Sequence, residues 1–376
     1  MSNLLMISGD RSLAEGKRGA FYGTLEEFHK FWDRIDVICP RVNNQQIKEV
    51  FGNVFIHSSS WPLIFQPLWI LREGLRILKT NGYSLMANNY LMTVHEFPPF
   101  YNGIGARLLW NRIKVPYVLE IFHVPGHPRT AGIKEVIYKF LFKLFVSFDV
   151  SKAKAVRVMN QKQVSDFLVK AGVPKNKIVY IPAIYVDLNI FKPMDLPKEY
   201  DLIFVGRLVK NKGINLLLDA ANKLKAQILN FKLLIVGNGS LKNNLKFKIK
   251  NLKLQDNILL HGWAKDSREI AELLNKSKVL VMPSYNEGGP RVVVEAVACG
   301  VPVLATPVGI VPDLLKNGLG GEFIAWEADD IARRVLGLLN DPDKYQRYSH
   351  SGPEMAIQFE RRSTIKNYAE KLKSLI

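Results

Sequence analysis

The sequence has little cysteine, no long apolar run and no surplus of acidic residues. Only two of its 376 residues are cysteines, Cys39 and Cys299. A disulfide framework or a Cys-based zinc site is therefore not expected, and the expected compartment is the reducing cytosol. The five-residue apolar run near the N-terminus ends at Asp10 and is too short for a secretory signal. The most apolar later stretch, residues 61–71, contains two prolines and has about half the ~20 residues that a transmembrane helix needs.

Basic residues outnumber acidic ones along the whole chain. Lys plus Arg number 52 and Asp plus Glu number 34, which gives a formal net charge of +18. Partners with negative charge are therefore favoured, such as phosphorylated substrates, anionic membranes or nucleic acids. The basic residues are scattered, however, and no zinc finger, RNP motif or helix-turn-helix pattern occurs, so nucleic acid is not expected as a partner.

The order of the apolar segments predicts two α/β domains. The length exceeds an average domain of roughly 150 residues, and short runs rich in Val, Ile, Leu and Phe alternate with longer amphipathic stretches, which is typical of parallel strands covered by helices. In the first half the predicted strands are 4–8, 35–39, 53–57, 84–88, 117–122, 155–159 and 178–182. In the second half they are 201–206, 232–237, 257–262, 278–284, 302–306 and 321–326. Residues 191–200, with two prolines and no periodicity, are interpreted as the linker, and the cleft between two such domains is the expected ligand site.

One amphipathic helix is predicted over residues 133–148. Its apolar residues recur with helical spacing, and Lys134, Lys139 and Lys143 lie on the opposite side. Two interpretations stay open: the helix packs on the first sheet, or it rests as a basic helix on anionic lipid. Residues 61–69, in which two prolines lie between two tryptophans, are consistent with the second interpretation.

Residues 278–307 read as a strand, a glycine-rich turn, a helix and another strand. Pro290 suits the first helical position, and Gly300 suits a left-handed residue that ends the helix. Gly288 and Gly289 would then place free backbone N–H groups at a helix N-terminus, where a phosphate can bind. The segment therefore predicts an anion site.

Four charged side chains accompany this turn. Carboxylates such as Glu287 and Glu295 are good acceptors for sugar or ribose hydroxyls. Arg207 and Lys212 flank the turn after the strand 201–206, where two cations can neutralise a diphosphate. Taken alone, either basic residue is more often a solvated surface charge, and either glutamate is more often a helix-surface residue. Their joint occurrence at strand ends favours a site.

The spacing of these residues resembles a known family. Arg207 and Lys212 stand in GR-x4-K-G, and Glu287 and Glu295 stand in PS-x2-EG-x6-EA-x2-CG-x-PV-x-AT. These motifs resemble the retaining GT-B glycosyltransferases of the GT4 type. The resemblance implies two Rossmann-like, doubly wound parallel-sheet domains that face each other across a cleft. The implied division is residues 1–192 for the acceptor, 193–353 for the nucleotide sugar and 354–376 for a C-terminal helix that can cross back to the first domain.

The resemblance also implies roles for residues of the second domain. Arg207 and Lys212 would hold the diphosphate and assist catalysis, Glu295 would bind the ribose hydroxyls, and Glu287 with the backbone of 288–289 would hold the donor sugar. The family often has EGFG where this chain has EGGP, and Pro290 has no N–H to donate. The identity of the transferred sugar therefore stays open.

In the first domain the implied residues follow two strands. His123, which ends the strand PYVLEIFH, occupies the position of the family histidine near the reacting carbon. The loop GDRSLAEGKRGAF resembles a longer form of the glycine-rich loop that approaches the donor phosphate, with Gly16 and Gly19 as the implied contacts and Lys17 or Arg18 as candidate phosphate ligands. The remaining histidines considered are expected to be structural: His57, His95, His127 and His261.

The function that follows is retaining transfer of a sugar from a UDP or GDP type nucleotide sugar to a hydroxyl acceptor. A lipid-linked or cell-surface glycan precursor is the expected acceptor, and the expected location is the cytoplasm, with peripheral attachment to the membrane. The resemblance implies transfer without a metal or other cofactor. A metal-dependent transferase with an Asp-x-Asp at a strand end is a further alternative, but the only match, Asp341-Pro342-Asp343, reads as a helix boundary. Alternatives are a sugar-nucleotide epimerase of the same fold and a non-catalytic protein that binds an anion. A glycosidase would also use two carboxylates, but it would not need the cations.

Overall fold

The computed structural model describes residues 2–43, 46–81, 89–182, 184–315 and 318–375. The chain divides into two compact units along these residues. The first comprises Met1–Val124, Ile137–Ala183 and Arg362–Ile376, and the second comprises Pro125–Val136 and Ile184–Arg361. The last residues of the chain thus belong to the same unit as the first.

The first unit is built on one sheet, with eight strands among the described residues. The strands are β1 (Asn3–Ile7), β2 (Arg34–Cys39), β3 (Glu49–Val50), β4 (Val54–Ser58), β5 (Tyr90–His95), β6 (Tyr117–Ile121), β7 (Ala155–Val158) and β8 (Ile178–Tyr180). Their order across the sheet is β3-β4-β2-β1-β5-β6-β7-β8. All pairs are parallel except β3 with β4. Because β1 lies between β2 and β5, connections leave it to opposite sides, which opens a crevice at the carboxyl ends of these strands.

Helices cover this sheet. They are α1 (Ala20–Phe28), α2 (Gln66–Thr80), α3 (Tyr101–Ile113), α4 (Ile133–Val150) and α5 (Gln163–Lys170), to which the C-terminal α13 (Arg361–Lys373) is added. Tyr368 of α13 is buried: its ring stacks on Phe28 at 4.7 Å, and its hydroxyl donates to Glu120 at 2.6 Å. Glu120 also pairs with the buried Arg157. An ionic network inside the first unit therefore anchors the end of the chain.

The second unit is a six-stranded, fully parallel sheet among the described residues. Its strands are β9 (Tyr200–Val205), β10 (Leu233–Val236), β11 (Ile258–Gly262), β12 (Ser277–Met282), β13 (Val303–Ala305) and β14 (Gly321–Phe323), in the order β11-β10-β9-β12-β13-β14. Its helices are α6 (Ile214–Leu224), α7 (Lys242–Asn251), α8 (Ser267–Asn275), α9 (Arg291–Ala298), α10 (Val311–Leu314), α11 (Ala328–Leu339) and α12 (Pro342–Ala356). The central β9 and β12 are neighbours, so the loops that follow them meet.

Most predicted strands are confirmed within one or two residues of their predicted ends. The predicted strand 84–88 lies outside the described residues. The sheet contains β5 at Tyr90–His95, which is not among the predicted strands. The two-residue edge strand β3 was also not predicted. Residues 191–199 connect β8 to β9 without a regular element and belong to the second unit.

The amphipathic helix is confirmed as α4, and only one of its sides packs on the sheet. Phe142 and Val146 are buried in the core of the first unit. Phe140 and Leu144 are exposed, with 63% and 58% of their surface accessible. No described helix is both long enough and apolar enough to cross a bilayer.

Both cysteines are free and buried. Burial raises the pKa of each thiol, Cys39 and Cys299, to about 12. Both are therefore protonated at neutral pH and inert as nucleophiles.

Candidate functional site

The loop after β9 carries the two predicted cations. Its last residue, Gly213, ends a single 3₁₀ turn at φ +66° and starts α6. A Cβ at Gly213 would lie 2.0 Å from the carbonyl oxygen of Pro283, in the loop after β12. Only glycine allows the two loops to approach this closely.

Lys212 and Glu287 are brought together at this approach. Lys212 Nζ donates to Glu287 Oε1, and Ser284 Oγ donates to the same oxygen at 2.9 Å. The side chains of Lys212 and Glu287 are 17% and 13% exposed, so the pair is largely shielded from water. A backbone bond from Tyr285 N to Asn211 O at 2.8 Å holds the loops in register. The sequence analysis assigned this lysine and this glutamate to different parts of a ligand and did not anticipate that they contact each other.

The carbonyl group of Ser284 is fixed from two further strands. It accepts hydrogen bonds from Thr306 Oγ1 at 2.6 Å and from Trp326 Nε1 at 2.8 Å. Thr306 directly follows β13, and Trp326 lies three residues beyond β14. The site is therefore supported at the carboxyl ends of four strands. Ser284 and Thr306 belong to the PS and AT pairs of the motif, whereas Trp326 carried no signal.

The glycine-rich turn leads into α9 as expected, with one correction. The backbone N–H groups of Gly288 and Gly289 have no hydrogen-bond acceptor among the described residues. Gly300 ends the helix at φ +69°, as predicted. Pro290 was expected at the first helical position, but its ψ of 100° is extended, so it is the N-cap and the helix begins at Arg291. Free N–H groups followed by a helix N-terminus form a cradle for an anion.

Glu295 lies within α9 and is partly buried. Its carboxylate forms no hydrogen bond or ion pair with the described residues. Burial raises the pKa of this carboxyl group, and the nearby charge of Arg291 only partly offsets the effect. A partly buried carboxylate without a partner is suited to accept hydrogen bonds from ligand hydroxyls.

Arg207 is exposed, and within the described chain its guanidinium has no hydrogen-bond or salt-bridge partner. It stands beside the loop after β10, because Leu208 N donates to Asn238 O at 2.9 Å. Gly237 allows this approach: a Cβ there would lie 1.9 Å from the carbonyl oxygen of Gly206. Arg207 is therefore a free cation on a closely packed pair of loops, able to reach an anion without breaking an existing bond.

A segment from the middle of the chain completes the second unit. The buried Asn286 donates through Nδ2 to Arg129 O at 3.0 Å and to Glu135 Oε2 at 2.9 Å. The Arg129 guanidinium also lies over the rings of Tyr285 and Trp326, at 5.7 and 5.4 Å from their centroids. These residues are 157 and 151 positions apart in the chain, and no local sequence signal predicts their contact.

In the first unit, His123 lies two residues beyond β6 and is exposed. Gly16 has φ +78°, and Gly19 is the exposed N-cap of α1. Of the two candidate phosphate ligands in this loop, Lys17 pairs with Glu15 at 2.7 Å. Arg18 lies over the Tyr22 ring at 5.4 Å.

His57 and His261 have the structural contacts that were expected. His57 Nε2 is 2.9 Å from Asp36 Oδ1, and its Nδ1 is 3.2 Å from Glu73 Oε1. Burial opposes the charged imidazole, but the hydrogen bonds to both carboxylates prevail and raise the pKa of His57. His261 Nε2 lies 3.5 Å from Glu269 Oε1.

His95 differs from these because it lines a cavity of about 250 Å³ in the first unit. The same cavity is lined by Thr93, Glu120 and Phe122, among others. Burial lowers the pKa of His95 to about 4, so the ring is neutral at pH 7.

The acidic pair at 341–343 is a helix boundary, as predicted. Asp341 caps α12 by accepting from Lys344 N at 3.0 Å. Within the described part of the chain, no group of three or more His, Cys, Asp or Glu side chains is placed to hold a metal ion.

Comparison with known proteins shows what the second unit is similar to. The family described as Glycosyl transferases group 1 matches residues 187–355, which contain the whole of the anion cradle, the Lys212–Glu287 pair and Glu295. Over these residues the chain is similar to the group 1 glycosyltransferases. An uncharacterized glycosyltransferase of Methanocaldococcus jannaschii is 27% identical to this chain over 316 residues, which is 82% of either chain. A subunit of phosphatidylinositol N-acetylglucosaminyltransferase from Schizosaccharomyces pombe is 25% identical over 72% of this chain and 64% of its own length.

Solved structures identify the fold of this chain as GT-B. HepE of Anabaena, solved in complex with UDP and glucose, has a TM-score of 0.76 and 18% identity, with complete coverage of both chains. Sucrose-phosphate synthase of Thermosynechococcus elongatus has a TM-score of 0.78 and 18% identity, covering 100% of this chain and 99% of its own. The two parallel α/β sheets expected from the sequence are thus confirmed.

Proposed function

We propose that this protein is a retaining glycosyltransferase of the GT4 type that uses a UDP or GDP type sugar and a hydroxyl acceptor. In this reaction the bond between the anomeric carbon and the diphosphate oxygen breaks, and the acceptor oxygen bonds to that carbon. The proton of the acceptor hydroxyl passes to the departing diphosphate. The observation that carries the proposal is the convergence of Lys212, Glu287 and the free N–H groups of 288–289 at the carboxyl ends of β9 and β12. The complex of HepE with UDP and glucose supports a nucleotide-sugar donor.

The diphosphate is the proposed ligand of the cations. Arg207 has all its donors available, and Lys212 uses one of its three in the bond to Glu287. Together with the N–H groups of 288–289, they place positive charge where the leaving group gains negative charge. This arrangement needs no metal ion, and we propose that transfer proceeds without one.

The carboxylates are the proposed ligands of hydroxyl groups. Glu287 accepts its protein hydrogen bonds through Oε1, which leaves Oε2 for a hydroxyl of the donor sugar. Glu295 is proposed to accept from the ribose. In the first unit, the proposed contacts of donor and acceptor are His123, Gly16 and Gly19.

The test compares Lys212→Ala with Lys210→Ala, a lysine of the same 3₁₀ turn. Binding of UDP and GDP is measured by calorimetry. A hydrogen bond to a charged group is worth about 1.5–3 kcal/mol, so we expect Lys212→Ala to weaken binding by about tenfold to 100-fold and Lys210→Ala to change it less than threefold. Equal affinities for the two variants would contradict the diphosphate assignment.

Turnover separates the reaction classes. NMR of a product formed in excess EDTA, with a panel of UDP- and GDP-sugars and simple glycoside acceptors, reports both anomeric configuration and metal dependence. A product with the anomeric configuration of the donor, formed in EDTA, is expected. Conversion of the nucleotide sugar to its epimer, without a glycoside product, would favour the epimerase instead.

We also propose that the acceptor is presented at an anionic membrane surface. Two stretches of the first unit expose large apolar side chains: Leu63, Ile64, Phe65 and Leu68 before and at the start of α2, and Ile137, Tyr138, Phe140, Leu144 and Phe148 on α4. Exposed apolar residues on a protein with a formal charge of +18 fit a surface that is both apolar and negatively charged. The S. pombe relative is a subunit of phosphatidylinositol N-acetylglucosaminyltransferase, and that name is consistent with a lipid acceptor.

A further inference from the structure

A crevice of the first unit, separate from the His95 cavity, has unused hydrogen-bonding groups. It has a volume of about 180 Å³ and lies at the carboxyl ends of β1, β2 and β5. Its lining includes Arg11, Leu63, Gln66, Phe97, Tyr101 and Asn102. Pockets for drug-sized ligands have roughly 300–1,000 Å³, so this crevice has room for a single small ring or headgroup.

The amide of Gln66 is the unusual group in this crevice. Gln66 is 1% exposed, and neither its Oε1 nor its Nε2 has a hydrogen-bond partner among the residues that the structure describes. A buried amide without partners costs about 1–3 kcal/mol for each unpaired group. An apolar residue at the first position of α2 would avoid this cost, so the amide is better explained by a ligand than by packing.

A second amide is held in a defined orientation. Asn102, at the start of α3, is 4% exposed and donates through Nδ2 to His95 O at 2.9 Å. Its Oδ1 therefore remains an acceptor for a ligand. Two amides that offer donors and acceptors suit a ligand with several neighbouring hydroxyls, and the exposed Arg11 adds a cation at the rim.

The rest of the crevice is apolar and aromatic. The ring of Phe97 lies directly over the end of β1, because Gly9 has no side chain: a Cβ there would lie 2.1 Å from Phe97 Cε1. Phe97 and Leu63 therefore provide an apolar wall beside the amides. Hydroxylated rings have this double character, with C–H groups on their faces and hydroxyls at their edges.

We propose that this crevice is a subsite for a hydroxylated six-membered ring of the acceptor, either a pyranose or a cyclitol, and that Gln66 determines its specificity. The proposal names the acceptor class and so rests on the proposed function. It predicts that small ring compounds bind without any nucleotide. It also predicts that binding of the ring depends on Gln66, whereas binding of the nucleotide does not.

The experiment uses the full chain with selective ¹⁵N labelling of glutamine. The side-chain NH₂ signal of Gln66 is assigned by its loss in Gln66→Met and followed during titration with methyl α-glucoside, methyl α-mannoside, methyl α-galactoside and myo-inositol. We expect at least one compound to shift this signal in a saturable way. A shift with a methyl glycoside indicates a pyranose, and a shift with myo-inositol indicates a cyclitol. The control is Gln346→Met, at an exposed glutamine of α12.

Two further measurements separate the outcomes. We expect Gln66→Met to abolish ring binding, to retain UDP affinity within twofold and to unfold at the same temperature as the natural protein or higher, because an unpaired amide is removed. Loss of thermal stability in Gln66→Met without any ring-induced shift would show that the amide is paired by water only, which overturns the proposal. Failure of UDP binding with ring binding intact would count against the proposed function and leave the subsite standing.

Discussion

The close approach of Gly213 to Pro283 predicts a defined loss of function in Gly213→Ala. A Cβ would lie 2.0 Å from the Pro283 oxygen and 2.8 Å from its carbonyl carbon, whereas real Cβ contacts are at least 3.0 Å. The oxygen must therefore move by about 1.0 Å, the difference between 3.0 and 2.0 Å. Alanine at φ +66° adds the left-handed penalty of roughly 1–2 kcal/mol.

This shift reaches the site directly, because Pro283 precedes Ser284 and the loop that holds Glu287. A displacement of about 1 Å can cost about 100-fold in rate, and the Lys212–Glu287 bond must lengthen or rearrange. We expect Gly213→Ala to fold, with a free energy of unfolding that falls by more than 2 kcal/mol. UDP affinity should fall at least tenfold.

Gly52→Ala is the matched control. Gly52 has a similar φ of +75°, but a Cβ there would meet nothing within 4 Å. We therefore expect Gly52→Ala to lower the free energy of unfolding by the left-handed penalty alone, about 1–2 kcal/mol, and to leave UDP affinity unchanged. Chemical denaturation and calorimetry measure both quantities. If the two variants lose the same stability and both retain UDP affinity, the packing argument for these loops is wrong.

Two further predictions concern catalysis and membrane binding. For His123→Ala, we expect kcat to fall by about 100-fold or more while UDP affinity changes less than twofold, as for a group that acts in the transition state; unchanged kcat in a transfer assay refutes the role. For membranes, we expect flotation with phosphatidylserine-containing vesicles at low salt, reduced at high salt, and weakened about tenfold in Phe140→Ser. The control is Phe247→Ser, at a similarly exposed phenylalanine of the lysine-rich α7; equal flotation of the two variants argues against α4 as the contact.

The strands of both sheets were largely predictable, because a buried parallel strand must be apolar on both faces. The exception is instructive. Residues 84–95 contain two short apolar runs, 85–87 and 90–92, separated by Asn88 and Asn89. The sequence prediction uses the first run, whereas β5 occupies Tyr90–His95. Pairing with β1 and β6 selects that register, and a contact between strands leaves no mark in the local pattern.

The residue types of the site were predictable for a different reason. Turns at strand ends need glycine, and anions need free N–H groups and cations, so the motifs identify Gly213, 288–289 and Lys212 locally. The supporting contacts were not predictable in this way. Asn286 with Glu135, and Trp326 with Ser284, join residues 151 and 42 positions apart, and neither type of side chain is specific for that partner.

The contact between Lys212 and Glu287 shows how the topology changes the meaning of a motif. Each residue is expected from its own loop, but β9 and β12 are neighbours in the sheet, so their following loops must meet. In the free protein the glutamate holds the ammonium group in place before any ligand arrives. A phosphate can then bind the remaining two N–H donors of Lys212 without breaking the pair, and little side-chain entropy is lost. The pair therefore orients the lysine for binding, which a lone lysine on a surface loop would not achieve.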